Sequence, residues 1–213
     1  MDCNDDGDGL WALSGIKGQR WYRSNFVEVF RMAFSRGTAP IVINWHGPLS
    51  SVKLASQAAK DGEVDEGLYL AMGKRDLRGQ HYVGASIDVP QRLNEGHHVL
   101  GGLGEDQLEI WIGVVASPKI WTTSKAQHST AVHLAERATA YFLELTENQK
   151  LTKTPPDRSV ILLNRWYDAD KPDYKRRPDR GHKDWPDVIE FDKENGSYQL
   201  AWFGDTRHEK GSI

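Results

Sequence analysis

The chain has 213 residues, 38% of them hydrophobic and 27% charged, with a net charge of -3 and a mean hydropathy of -0.61. That is the composition of an ordinary globular chain, long enough for one substantial domain with room for a small appendage. It excludes a membrane span, because no uninterrupted apolar run approaches the roughly 18 to 20 residues required, and it argues against a non-specific nucleic-acid coat protein.

The start, MDCNDDGDG, has neither the basic opening nor the apolar centre of a signal peptide, and its four aspartates read as an acidic tail. A single cysteine, Cys3, rules out an intrachain disulfide, so the fold must be held by its core. The expected setting is intracellular. Eight tryptophans exceed what one small core usually uses, so some are expected at the surface as stacking platforms.

In chain order, Asn25 and Glu28 fit a capping box for a helix in which Phe26, Val29, Phe30, Ala33 and Phe34 recur at helical spacing, with Gly37 as the stop. Ile41 to Trp45 reads as a strand and Leu49 to Lys60 as a helix ended by Gly62. Residues 1–62 are therefore expected to form an N-terminal α/β extension whose strand joins the edge of a main sheet. Asn44 and His46 within it read as structural.

Gly67 to Met72 and Gln80 to Ser86 read as an antiparallel hairpin whose wide tip is bounded by Gly73 and Gly79. Leu68, Leu70 and Met72 share one parity, as do Val83 and Ala85. If those face the core, Tyr69 and Tyr82 project together from the other face, with Gly84 leaving room beside them. Asp88 is a good N-cap, Gln91 completes its box, and Arg92 lies one turn into the helix before Gly96 ends it. Leu108 to Val115 reads as a central strand, and Ser124 to Gln149 as a long helix with Val132, Ala135, Ala138, Phe142 and Leu145 as its core stripe. Glu136 falls on the flank of that stripe, where a carboxylate would be partly shielded from water.

A linker and the apolar stretch VILLNRWY, containing Asn164, follow. Residues 171–183 carry six Lys/Arg against two Asp, a candidate phosphate-binding segment. The chain ends in a hairpin whose Asn195-Gly196 suits a type I′ turn. His133 and Glu136, three apart on the helix, are spaced to share a metal, but no further ligand completes a zinc site.

Hydrolysing a phosphodiester requires an activated water, stabilisation of transition-state charge and help for the leaving oxygen. Tyr69, Tyr82, Arg92, Glu136 and Asn164 are residue types able to divide those tasks. They also resemble a family, the GIY-YIG nucleases. Gly67-Leu68-Tyr69 resembles the first tripeptide and Tyr82-Val83-Gly84 the second, with twelve residues between the two tyrosines. Arg92, ten residues after Tyr82, is similar to the family's helix arginine, Glu136 to its metal-binding glutamate, and Asn164 to the asparagine that closes the module. Gly96 stands one turn after the arginine, where many members carry His or Tyr, and His97 follows it.

The resemblance covers about residues 63–166 and implies an α+β fold: a small antiparallel sheet flanked by helices, set between the N-terminal extension and a C-terminal segment, 167–213, with its basic run and hairpin. It implies a metal-dependent endonuclease acting on DNA with one Mg²⁺ or Mn²⁺. Tyr69 would be the general base or water-orienting group, Tyr82 and Arg92 would position water and phosphate, His97 would stand in for the second base, Glu136 would bind the metal, and Asn164 would brace the site. Lys175, Arg176, Arg177 and Arg180, with exposed tryptophans, would contact DNA. One site per chain would cut both strands as a homodimer or by successive nicks. The rival expectation is the same module without catalysis, holding nucleic acid or a protein.

Overall fold

A computed structural model describes residues 38, 40–75, 78–94, 96–103, 107–116, 125–168, 181–202 and 207–213. Eight strands form one sheet: β1 (Pro40–Leu49), β2 (Gly67–Arg75), β3 (Arg78–Ser86), β4 (Glu109–Val115), β5 (Val160–Asp168), β6 (Val188–Asp192), β7 (Ser197–Ala201) and β8 (His208–Ser212). Their order is β3-β2-β4-β1-β5-β6-β7-β8. Only β1 and β5 pair in parallel; every other neighbour is antiparallel. The α+β class fits. The expected segmentation of the sheet does not, because β1 lies between β4 and β5 rather than at an edge, and the C-terminal strands extend the same sheet.

The reason lies in the side chains. β1 and β5 begin with PIVIN and VILLN, runs that are apolar at both parities and so suit strands buried on both faces. Among the described residues three helices cover those faces: α1 (Val52–Asp61), α2 (Val89–Arg92) and α3 (Lys125–Phe142). On one side α3 lays Val132, Ala135 and Ala138 on Ile43, Trp45, Leu68, Leu70 and Trp166. On the other, Ala55 and Ala59 of α1, Val89 of α2 and the leucines of segment 97–103 pack on Tyr69, Ala71, Ile110 and Ile112.

Element ends follow local chemistry. Ser51 caps α1 by accepting from the Leu54 N–H, and Gly62 closes it. α3 ends where Glu144 takes φ 49°, sooner than its periodicity predicts. The β2–β3 strands run past the expected tip, pairing through Gly73↔Gln80 to Arg75↔Arg78. The C-terminal hairpin is present, but its loop spans four residues between the paired Asp192 and Ser197. Asp192 accepts from the Glu194 and Asn195 N–H groups, and only Gly196 takes positive φ. A type I′ turn needs positive φ at two residues, so the Asx contact has replaced it.

The five tryptophans among the described residues, Trp45, Trp111, Trp166, Trp185 and Trp202, are all buried, so none of them is a surface platform. No helix among the described residues is long and apolar enough to cross a membrane. The helix expected at residues 25–34, the acidic start and Lys175, Arg176, Arg177 and Arg180 lie outside the described residues.

Candidate active site

The hairpin puts Tyr69 opposite Gly84 and Tyr82 opposite Ala71, and strand alternation turns both phenols to the α1/α2 face, as their parity predicts. Their rings lie 6.0 Å apart. The room at Gly84 is taken by the chain itself: a Cβ there would overlap the Tyr69 phenol, so only glycine lets that ring lie flat across β3. Tyr69 is fully buried, whereas Tyr82 is half-buried.

Arg92 arrives through α2, a single turn capped by Asp88, which accepts from the Gln91 N–H at 2.9 Å. The Val89 N–H donates to the Asp65 carbonyl, tying that turn to the approach to β2. Arg92 is exposed, and its Nε donates to the Tyr69 hydroxyl at 3.3 Å. The helix stops there. Asn94 turns the chain by donating to the Gln91 carbonyl and accepting from the Gly96 N–H, which drops His97 into the core. His97 is thus brought to Tyr69 because the helix ends before Gly96.

His97 Nδ1 faces the N–H groups of Val99 and Leu100, both at 3.3 Å, and must therefore accept. The proton of a neutral ring then sits on Nε2, which donates to the Tyr69 hydroxyl at 2.8 Å. Burial, and after it the charges of Arg92 and His98, push the His97 pKa down to about 4, so the ring is neutral at pH 7. Tyr69 Oη accepts from both His97 and Arg92, and its ring lies beside that of Tyr82. Burial, reinforced by Tyr82 and only partly opposed by Arg92, raises the Tyr69 pKa well above the usual phenol range. A buried phenol held protonated is a poor base. Its position suits it to align Arg92, His97 and Tyr82.

The third component comes from the sheet edge. β3 is an outer strand, and its outward backbone groups are met by α3 and the turn after it. Glu136 Oε1 accepts from the Ala85 N–H at 2.9 Å, Asn148 both accepts from and donates to Val83 (2.8 and 2.7 Å), and Thr146 accepts from the His81 N–H. Glu136 therefore reaches the tyrosine hairpin around its rim although α3 packs on the opposite face. Burial raises its pKa, with the Ala85 N–H, His133 and Arg92 pulling the other way. His133 Nδ1 is 3.6 Å from Oε2.

Among the described residues no three His, Cys, Asp or Glu side chains gather into a metal-holding group. The donors present fit a cation that keeps most of its waters and takes one carboxylate plus a substrate phosphate, which is how Mg²⁺ is usually held.

Asn164 is not part of this cluster. It sits in β5, separated from β2 by β4 and β1, where its Oδ1 accepts from the Trp45 indole at 2.9 Å and its Nδ2 donates to the Pro186 carbonyl at 2.9 Å. The asparagine that does brace the hairpin is Asn148, twelve residues after Glu136 and buried. The sequence reading places it inside the long helix expected over 124–149, which ends instead at Phe142, and only the knowledge that β3 is an edge strand singles it out. Compared with protein-family models, with curated proteins and with solved structures, the chain gives no match.

Proposed function

We propose that this protein is a metal-dependent endonuclease that hydrolyses DNA phosphodiester bonds at the Tyr82–Arg92–Glu136 surface. The carrying observation is the hydrogen-bonded convergence of His97 and Arg92 on Tyr69, with the Tyr82 ring against them and a shielded carboxylate at the rim. Arg92 is the exposed cation and would offer its remaining N–H groups to non-bridging phosphate oxygens. Tyr82 is the phenol that solvent reaches, so it would contact the attacking water. Tyr69 and His97 are positioning residues, holding Arg92 and Tyr82 in register from beneath. Glu136 would hold Mg²⁺ or Mn²⁺, which when bound supplies positive charge at the phosphate.

The full burial of Tyr69 favours a second reading, in which the cluster is a structural knot and the module binds without cutting. A plasmid-cleavage assay with Mg²⁺ and with Mn²⁺ separates the two. The nuclease reading expects cutting by the wild type and a loss of about a hundredfold or more in Tyr82→Phe, Arg92→Ala and Glu136→Ala, each assayed below its own melting temperature. Undiminished cutting by Glu136→Ala removes the metal role of that residue. A folded wild type that nicks no supercoiled, linear or single-stranded DNA leaves the binding module.

A further inference from the structure

The row of cross-strand neighbours that contains Tyr69 continues past the site. Tyr69 pairs with Ile112, Ile112 with His46, and His46 with Tyr167, all on one face of the sheet. His46 is therefore two strand spacings from Tyr69, roughly 10 Å, and Tyr167 one spacing further. Neither residue has a task in the site described above.

His46 and Tyr167 form a block of four with the next inward pair of the parallel strands, Asn44 and Arg165. The rings of His46 and Tyr167 stack at 5.0 Å with 15° between their planes, and the Arg165 guanidinium lies 5.5 Å from the centre of the Tyr167 ring. His46 is exposed; the other three are half-buried. Neighbouring atoms nevertheless strip enough water from the His46 ring to lower its pKa, which keeps it an uncharged, stackable ring at pH 7.

Beyond its contact with the Tyr167 ring, Arg165 has no ion pair among the described residues.

An aromatic stack with an exposed histidine and, beside it, a cation with no counter-ion among the described residues match two parts of an unpaired nucleotide. The stack meets the flat face of a base and Arg165 the phosphate. We infer that His46, Arg165 and Tyr167 form a binding site for an unpaired nucleotide of single-stranded DNA. A base within a duplex does not present its π-face, so this site selects DNA with a single-stranded stretch. Between it and Tyr69 runs α1, in whose first turn Lys53 is exposed.

This inference rests on the proposed nuclease reading for the identity of the polymer, and its test works without cutting. Binding of a fluorescein-labelled mixed-sequence single-stranded oligonucleotide, and of the matching duplex, is followed by anisotropy in EDTA with the full chain. The wild type is expected to prefer the single strand, Tyr167→Ala to weaken that binding about tenfold with little effect on the duplex, and Tyr167→Phe to restore it. His46→Ala, at an exposed ring, serves as the second variant should Tyr167→Ala fail to fold. Photocrosslinking of an iodo-deoxyuridine oligonucleotide is expected to label His46 or Tyr167. Equal affinity of wild type, Tyr167→Ala and His46→Ala for the single strand, a wild-type preference for the duplex, or a crosslink elsewhere would each overturn the site. A wild type that binds in this way yet never cuts with Mg²⁺ removes the nuclease reading and leaves the nucleotide site standing.

Discussion

On the α3 side of the sheet Trp166 stacks on Trp45 at 5.8 Å and on Trp185 at 5.6 Å, and meets Trp111 edge-on at 5.4 Å. Across the same strands, on the α1/α2 side, stand Tyr69, Tyr82, His97 and Arg92 at one end and His46, Tyr167 and Arg165 toward the other. The first face carries one buried polar side chain in its middle, Asn164, and both ends of that amide are satisfied. The second gathers phenols, imidazoles and guanidiniums, several of them reached by solvent. One face is built to hold the sheet together, and the other to present chemistry. Close packing makes the apolar side intolerant of change, while the polar side depends on a few hydrogen bonds whose loss costs less in stability than in alignment.

The sharpest way to break that comparison is to remove Trp166, which is 4% exposed and touches three other tryptophans. Trp166→Ala should lower the unfolding free energy in urea by about 3 to 5 kcal/mol, a large share of a domain's typical total. Tyr82→Ala, on the other face and half-buried, should cost about 1 to 2 kcal/mol. If the two costs come out equal, the division of labour between the faces is wrong.

A middle-sized effect tests the neutrality of His97. The native ring stays neutral until its pKa near 4, whereas the unfolded chain takes up a proton near 6.5. Between those values the unfolded state binds more protons, so stability falls as pH drops; above pH 6.5 the contribution is fully present. Between pH 7 and pH 5 the wild type should lose about 2 kcal/mol more than His97→Gln, measured by chemical denaturation at each pH. Parallel losses in the two proteins would mean that His97 is not held as a neutral donor to Tyr69.

The parts of the fold that local patterns control were legible in the sequence. The alternation of Leu68 and Leu70 with Tyr69 placed both tyrosines on one face, Asp88 and Gln91 capped the turn that carries Arg92, and Gly62 stopped its helix. Strand order was not legible. β1 joins β5 across more than a hundred residues, as the Trp45–Asn164 bond shows, and no local signal distinguishes a central strand of that kind from an edge one. The tryptophans misled for a related reason: a two-sided sheet of eight strands has more interior to fill than a small antiparallel one. Within the site, His97 and Arg92 meet Tyr69 by hydrogen bonds, Tyr82 lies against it, and Glu136 reaches only the hairpin rim at Ala85. The expected role of Tyr69 as a base fails to follow, because burial depends on what the rest of the chain stacks above it.

Asn148 and Asn164 give the smallest and most discriminating contrast, since each is a buried amide that holds two partners. Asn164→Ala strands the Trp45 indole N–H and the Pro186 carbonyl, and Asn148→Ala strands both backbone groups of Val83. Each should therefore cost about 1 to 2 kcal/mol, and stability alone will not tell them apart. Their positions do. Val83 lies between Tyr82 and Gly84 and two residues from the N–H that anchors Glu136, so releasing it lets the phenol and the carboxylate drift relative to each other. Displacement of that kind near a reacting group lowers rates far more than it lowers stability. Under conditions where both variants remain folded, Asn148→Ala should cut DNA about ten to a hundredfold more slowly than wild type, and Asn164→Ala should cut at the wild-type rate. The reverse ranking would place the bracing residue on the tryptophan face and dissolve the separation between a holding side and a presenting side.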